Sequence, residues 1–213
     1  MRVGLKHVAR AAVAGVVFGT AALAGQGEAA AQTSRDVTGR NKRAVFCLFV
    51  SGPACLHSLS IDGVFAYQRS FNERTYDKDF FRLSGELGYY ARIGRSALQL
   101  GPAVEAGGLF NDNADGWFLV PKLRFRGWPG YSAIGLEFSP GFVWEGQRDK
   151  ATQTLTQRMG AHGEVGLSIF GAFTIFGAGQ WLRSNEGQSA ANAMVGARVL
   201  LPVAIEILAA IKR

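Results

Sequence analysis

Hydrophobic and polar residues alternate strictly along the middle of the chain. From Phe81 to Ile93 the odd positions are uncharged and mostly apolar, whereas the even positions include Arg82, Glu86 and Arg92. A period of two over thirteen residues predicts one β-strand with an apolar face and a polar face. Strands of soluble domains average about 5–6 residues, whereas roughly 9–11 residues of tilted strand cross a bilayer. The pattern therefore favours a strand of membrane-spanning length.

Seven further segments show the same alternation, which gives eight predicted strands. They cover residues 59–68, 81–93, 98–110, 117–126, 134–145, 155–169, 173–181 and 191–201. Polar connections predicted to be long, at 69–79, 111–116, 146–153 and 183–190, alternate with short links at 94–95, 127–130 and 170–171. Long and short connections in alternation are typical of bacterial outer-membrane barrels, whose outer loops are longer than their periplasmic turns. The even strand number places both termini on the periplasmic side.

Aromatic residues of the apolar face gather at the strand ends that adjoin the long connections. Amphipathic rings prefer the headgroup level of a bilayer. We therefore expect an aromatic girdle made of Tyr67, Phe81, Phe110, Trp117, Trp144 and Trp181.

The same alternation would also suit a soluble barrel of the lipocalin kind with its two faces exchanged. Bulky residues on the apolar face would, however, overfill the narrow interior of an eight-stranded barrel. The polar face mixes charges with small residues such as Gly88, Gly101 and Gly141, as a cramped interior requires. The predicted fold class is an all-β, eight-stranded antiparallel up-and-down transmembrane β-barrel.

With this orientation the polar face lines the lumen. Its charges must be paired, because a buried unpaired charge is very costly. Acidic and basic members are nearly equal in number, which predicts a plug of salt bridges rather than an ion-selective pore. The candidate lumen network comprises Arg82, Glu86, Arg92, Glu105, Lys122, Arg124, Arg126, Glu137, Arg158, His162, Glu164 and Arg198, with Asp62 and Glu145 on the same face.

In its alternation and strand number, the segment 58–201 resembles the small eight-stranded outer-membrane barrels of the OmpA and OmpX type. The resemblance implies membrane anchoring, envelope integrity or surface interaction. Such barrels usually end on an aromatic residue in their last strand, whereas this chain ends Ile211-Lys212-Arg213. We expect residues 202–213 either to lengthen the last strand or to form a short interfacial helix.

The N-terminus has the pattern of a secretory signal peptide. Basic residues precede an apolar run at 11–25, and Ala29-Ala30-Ala31 forms a small-residue end, so cleavage is expected before Gln32. This predicts a signal peptide at 1–31 and a periplasmic segment at 32–57, followed by the barrel. In an oxidising compartment Cys47 and Cys55 indicate a disulfide, with two reduced buried thiols as the alternative.

Chemical motifs are few. The net charge of +7 is scattered, without a basic stripe among aromatics, which argues against nucleic-acid binding. A lipid hydrolase would need a hydroxyl beside a histidine and a carboxylate. His162 lies two residues from Glu164, with Ser168 further along the strand, but we favour a histidine that satisfies the charge network. No cofactor or metal is expected.

We therefore expect a non-catalytic outer-membrane protein that contacts outer-membrane lipid and presents its outer loops to the exterior. A lipid-modifying enzyme and a soluble ligand-binding barrel are the two alternatives. Among the loops, 69–79 is the best candidate for a surface contact, because it combines aromatic and charged residues at Phe71, Arg74, Tyr76 and Lys78.

Overall fold

The computed structural model describes residues 46–48, 55–71, 79–94, 96–129, 133–185 and 187–202. The predicted signal peptide, most of the segment 32–57, the middle of the connection 69–79 and the tail beyond Pro202 lie outside the described residues. No helix in the described part is long and apolar enough to span a membrane.

Strands account for most of the described chain. They are β1 (Phe46–Leu48), β2 (His57–Phe71), β3 (Asp79–Arg92), β4 (Leu98–Phe110), β5 (Ala114–Gly127), β6 (Ile134–Asp149), β7 (Leu155–Ile169), β8 (Phe173–Ser184) and β9 (Ser189–Leu200). We call the end of the barrel at which β2 stops and β3 starts the loop end, and the opposite end the turn end.

Strands β2 to β9 close into an antiparallel barrel. Each strand pairs with its neighbours in sequence, and β2 pairs with both β3 and β9. The predicted eight-stranded up-and-down barrel is therefore confirmed. The short strand β1 runs parallel to β2 over His57–Leu59, whereas β9 pairs with β2 only from Asp62 onward. Thus β1 occupies the place beside the turn end of β2 that β9 does not reach.

The strand registers give the barrel a shear of ten residues. Following Cα partners from Ser60 through all eight strands leads back to β2 at Ser70. The intermediate partners are Gly88, Ala103, Lys122, Gly141, His162, Gln180 and Asn192. With strands about 4.8 Å apart and a rise of about 3.3 Å per residue, this shear tilts them by roughly 40° from the barrel axis.

Side chains alternate between the lumen and the outer wall along the barrel strands. Glu86 and Arg124 in the lumen are 2% and 0% exposed, whereas Phe81 and Val165 on the outer wall are 68% and 60% exposed. Each strand carries bulky apolar side chains on the outer wall, such as Phe65, Phe81, Val104, Leu123, Leu136, Val165, Ile175 and Val195. The polar face therefore points inward and the apolar face outward.

Among the connections that the structure describes, the predicted contrast between long and short lengths is wrong. The described loop-end connections have three to five residues, at 111–113, 150–154 and 185–188, and the turn-end connections have three to six, at 93–97, 128–133 and 170–172. The strands continue past the apolar alternation instead, and β6 extends from the expected end near Glu145 to Asp149. Backbone pairing needs no alternation of side chains, so the polar residues Asp115 and Arg148 still pair in register.

Prolines interrupt the ladders of three neighbouring strands. Pro102, Pro121 and Pro140 lie on the outer wall of β4, β5 and β6. A proline has no N–H to donate to a ladder. The register between β3 and β4 breaks opposite Pro102, and that between β5 and β6 breaks around the other two prolines. The ladders of β4 with β5 and of β6 with β7 are continuous.

A disulfide fastens β1 to the start of β2. Cys47 and Cys55 are bonded, with their Cα atoms 5.7 Å apart. The amide of Gln99 donates to the carbonyl oxygen of Cys55 at 3.1 Å, which holds this segment against the turn end of the barrel.

Replacing both Cys47 and Cys55 with serine should release β1 and leave the barrel folded. A three-residue strand is too short to hold its place without a cross-link. Hydrogen exchange followed by mass spectrometry should show faster exchange at 46–48 and 57–59, with unchanged exchange in β7 as the internal control. Unchanged protection at 46–48 would contradict this role for the disulfide.

The charged lumen and the neutral outer wall

Four cations and four carboxylates form one buried cluster in the middle of the lumen. The cluster, which we call the ion cluster, consists of Lys122, Arg124, Arg126, Arg198, Glu86, Glu105, Glu137 and Glu164. Lys122, Arg124 and Arg126 alternate along β5 and therefore share its inward face. Equal numbers of positive and negative groups make the cluster neutral in formal charge.

Lys122 lies at the meeting point of three strands. Its Nζ atom is 2.7 Å from Glu86 on β3, 2.9 Å from Glu105 on β4 and 2.9 Å from Glu164 on β7. An ammonium group has three N–H donors, so each donor can meet one carboxylate. The lysine thus ties together strands that are not all adjacent in the sheet.

The arginines bridge the same carboxylates from other directions. Arg124 makes a bidentate pair with Glu86, in which one of the two hydrogen bonds measures 2.8 Å. Arg198 contacts Glu164 and lies 3.0 Å from Glu137. Arg126 lies 2.6 Å from Glu137. Most of the carboxylates therefore have more than one cationic partner, as is needed to balance desolvation.

The remaining members of the predicted network lie around the ion cluster. Arg82 donates to Gln68 at 2.8 Å and its guanidinium stands 3.6 Å from the ring centre of Phe118, a cation–π contact. Arg158 lies 4.0 Å from Glu145 near the loop end. Arg92 is half-buried at the turn end. Asp62 accepts a hydrogen bond from Ser60 at 3.0 Å.

His162 is buried beside the ion cluster. Its Nδ1 atom is 3.3 Å from the amide nitrogen of Gln180, and its Nε2 atom is 3.7 Å from Glu164. Within the described residues these contacts contain no hydroxyl that could serve as a nucleophile. The described residues also contain no group of three or more His, Cys, Asp or Glu side chains that could hold a metal.

An apolar layer lies between the ion cluster and the loop end, although a polar lumen was predicted. Its members are Phe80, Leu109, Ala114, Phe118, Val120, Val143, Leu182 and Ala190, all buried. Phe118, Val120 and Lys122 are alternate residues of β5 and therefore share its inward face. The alternation alone thus predicts that Phe118 and Val120 point into the lumen. At the turn end, Tyr90 and Trp128 are buried and lie 4.8 and 5.8 Å from the guanidinium of Arg126.

The part of the outer wall that the structure describes carries no charge over most of its height. Among the described residues, the charged side chains that point outward lie near the loop end, at Arg69, Asp79, Asp115, Arg148 and Arg183. At the turn end, His57 and Tyr89 point outward, and the Nδ1 atom of His57 is 2.8 Å from the hydroxyl of Tyr89. The neutral band between these levels spans about eleven residues of tilted strand, or roughly 27 Å along the barrel axis.

The six aromatic residues of the expected girdle form a belt at the upper edge of the neutral band. Tyr67, Phe81 and Phe110 are successive register partners on β2, β3 and β4. The rings of Trp117 and Trp144 pack edge to face with centres 5.4 Å apart. When the shear is spread evenly over the strands, all six lie within about three residues of one level. All six are exposed on the outer wall.

Two loop-end connections contact each other above this belt. The ammonium of Lys150 donates to the carbonyl oxygen of Asn111 at 2.7 Å. The Asp149 carboxylate accepts hydrogen bonds from the backbone N–H groups of Ala151 and Thr152, both at 2.8 Å. These N–H groups stabilise the charged form and lower the pKa of Asp149 from its ordinary value.

Comparison with known proteins finds similarity in solved structures only. No protein-family model matches the chain, and no curated protein matches its sequence significantly. The structure of Neisserial surface protein A (NspA) has a TM-score of 0.44 at 8% identity, covering 67% of this chain and 96% of NspA.

Two further solved structures give similar values. Ail, the attachment invasion locus protein of Yersinia pestis, has a TM-score of 0.38 at 14% identity and covers 66% of this chain and 96% of Ail. The N-terminal β-barrel domain of Pseudomonas aeruginosa OprF has a TM-score of 0.41 at 16% identity, over 65% of this chain and 96% of that domain. At these values the similarity carries no argument about function, which has to come from the geometry of this chain.

Replacing Lys122 with methionine should destabilise the barrel by about 3–5 kcal/mol, because three buried carboxylates would lose a shared partner. The free energy of unfolding would be measured by urea denaturation of the refolded barrel in micelles or vesicles. The matched control is Lys150→Met in an exposed connection, which should cost less than about 1 kcal/mol. Equal effects of the two variants would show that the ion cluster does not hold the strands together.

Acidification should loosen the connection 150–154 before the barrel itself. The pKa of Asp149 is lowered in the folded state, so its contribution to local order is present above the unfolded carboxyl pKa and is lost as pH falls through the folded one. NMR titration should place the Asp149 midpoint below the ordinary value of about 3.9. The amides of Ala151 and Thr152 should shift with the same midpoint, and Asp149→Asn should remove that shift. A midpoint at or above the ordinary value would contradict the assignment.

Proposed function

We propose that this chain is an integral outer-membrane β-barrel without catalytic activity, which anchors in the membrane and presents its loop end to the exterior. The observation that carries the proposal is the neutral band of roughly 27 Å on the outer wall. Membrane barrels have an outward apolar band about 25 Å tall, flanked by aromatic residues. A soluble barrel would carry charges on that wall and apolar side chains inside, and this barrel has the reverse arrangement.

The aromatic belt supports an orientation with the loop end outside. The belt lies next to the five outward charges that begin above the neutral band, a combination suited to the headgroup region. Export by a signal peptide at 1–31, cut before Gln32, would deliver the barrel to the outer membrane with its disulfide on the periplasmic side. The exterior would then be faced by the four segments predicted as long connections, 69–79, 111–116, 146–153 and 183–190.

The packing of the lumen supports a role that does not involve conduction. The ion cluster fills the middle of the interior, and the apolar layer lies between it and the loop end. Eight strands leave an interior only wide enough for side chains to fill. A solute would have to displace paired charges and a hydrophobic layer, so we propose that the lumen is closed. The function is then envelope integrity or interaction of the outer surface with partners.

The contacts of His162 do not favour the alternative of a lipid-modifying enzyme. Its ring lies inside the barrel, close to the side chains of Gln180 and Glu164. A hydrolase that acts on membrane lipid would need this histidine beside a hydroxyl in a cleft open to lipid.

Replacing Val165 with arginine distinguishes a membrane barrel from a soluble one. Val165 is 60% exposed at mid-height of the outer wall. In a bilayer the arginine should cost about 2–4 kcal/mol of folding free energy, whereas on a soluble surface it should change stability by less than about 0.5 kcal/mol. The measurement is the free energy of unfolding from lipid vesicles.

Gln157→Arg provides a matched control on the same strand. Gln157 also lies on the outward face of β7, but above the aromatic belt, so an arginine there should cost less than about 1 kcal/mol. If both variants were as stable as the original chain, the neutral band would not be a lipid-facing surface and the proposal would be wrong.

A further inference from the structure

A small pocket opens on the outer wall at the aromatic belt and extends toward the loop end. Its volume is about 300 Å³, and it is lined by Phe110, Asp115, Gly116, Trp117, Gly146, Arg148 and Leu155. The lining residues belong to four consecutive strands, β4 to β7, and the charged and bulky ones are on their outward faces. The pocket therefore faces the surroundings of the barrel rather than its lumen.

The pocket combines one aromatic wall with two opposite charges. Trp117 is 38% exposed and is steadied by its edge-to-face contact with Trp144. Asp115 and Arg148 are direct register partners on β5 and β6 at the pocket's upper side. Among the described residues, neither of these two side chains forms an ion pair or a side-chain hydrogen bond. Both groups are thus available to a ligand.

Glycine at position 146 is needed for the indole to lie where it does. A Cβ atom placed on Gly146 would stand 2.6 Å from Nε1 of Trp117, closer than such atoms approach. The aromatic wall of the pocket therefore lies directly over bare backbone. An alanine at this position would displace the indole.

The chemistry of these groups defines the ligand class. An indole face packs against the apolar face of a sugar ring, a carboxylate accepts hydrogen bonds from its hydroxyl groups, and an arginine recognises phosphate with two parallel N–H donors. We infer that this pocket binds a phosphorylated saccharide, with the sugar against Trp117, hydroxyls on Asp115 and phosphate on Arg148.

Two sources could supply such a group: the headgroup of a glycolipid in the outer leaflet or a free sugar phosphate. The lipid source rests on the proposed membrane location, because the pocket then lies at the headgroup level. The pocket chemistry itself does not depend on the membrane. The two sources are therefore separated by the choice of probe.

The test is isothermal titration of the purified full barrel in detergent micelles with three probes: lipid A, glucosamine 1-phosphate and phosphatidylglycerol. Lipid A should bind at least about tenfold more tightly than phosphatidylglycerol, which has phosphate and acyl chains but no sugar. Arg148→Gln and Trp117→Leu should each weaken lipid A binding by about tenfold, the loss expected when a charge-assisted or stacking contact is removed. Asp115→Asn should weaken it to a smaller extent.

Two matched controls occupy the same level on β8, outside the pocket. Arg183→Gln removes an exposed outward arginine, and Trp181→Leu removes an exposed tryptophan of the belt. Each should change lipid A binding by less than about twofold, because neither lines the pocket. Gly146→Ala should reproduce the loss seen with Trp117→Leu, since it displaces the same indole.

Each outcome has a defined meaning. If glucosamine 1-phosphate binds and Arg148→Gln weakens its binding as it weakens that of lipid A, the pocket is supported with a free saccharide as ligand. If lipid A binds and glucosamine 1-phosphate does not, the pocket is supported with a glycolipid as ligand. Equal binding of lipid A and phosphatidylglycerol, equal losses for Arg148→Gln and Arg183→Gln, or no binding of either sugar probe would overturn the inference. Val165→Arg lies outside the pocket, so its cost in vesicles reports on the membrane proposal independently.

Discussion

The pairing of charges inside the barrel is the constraint on which the rest of the structure depends. An ammonium or carboxylate enclosed by eight strands loses its hydration, and a partner of opposite charge at hydrogen-bonding distance offsets most of that loss. Lys122 meets this requirement with carboxylates from β3, β4 and β7, whose relative heights are set by the shear of ten residues. A slip of one residue between two strands would turn the charges of one strand toward the outer wall. The ion cluster and the strand register therefore specify each other.

This division between inside and outside separates the side chains that hold the barrel together from those that face its surroundings. The lumen contains three kinds of packing in sequence, namely Trp128 and Tyr90 at the turn end, the ion cluster, and the apolar layer near the loop end. The outer wall carries the neutral band, the aromatic belt and then the charges. The side chains that line the outer pocket take no part in the ion cluster. The outward side chains at the loop end can thus change without disturbing the pairing that holds the barrel.

The sequence predicts which side of the wall a residue faces better than it predicts where a strand ends. Parity alone places Phe81 outside and Arg82 inside, since successive side chains of a strand point to opposite faces. Alternation gives no information where both faces of a strand are polar. The last residues of β6, up to Asp149, therefore resemble a loop in sequence although their backbone remains paired. Alternation also places Phe118 on the same inward face as Lys122, but the expectation of a polar lumen does not include an apolar layer there. Arg82 contacts Gln68, Met194 and Phe118, which lie on other strands. Which residues meet across the lumen depends on the shear of the barrel, and no local sequence pattern predicts the shear. The outer pocket joins Asp115 and Arg148 from segments that both looked like loops.

The three outward prolines have a consequence for the chain before it is a barrel. Until β2 and β9 meet, every partly assembled sheet has an edge that can pair with a strand of another copy. Pro102, Pro121 and Pro140 lack the N–H that such foreign pairing would use, and they sit near the middle of three consecutive strands. Besides interrupting the finished ladders, these prolines therefore disfavour pairing with a foreign strand before the barrel closes.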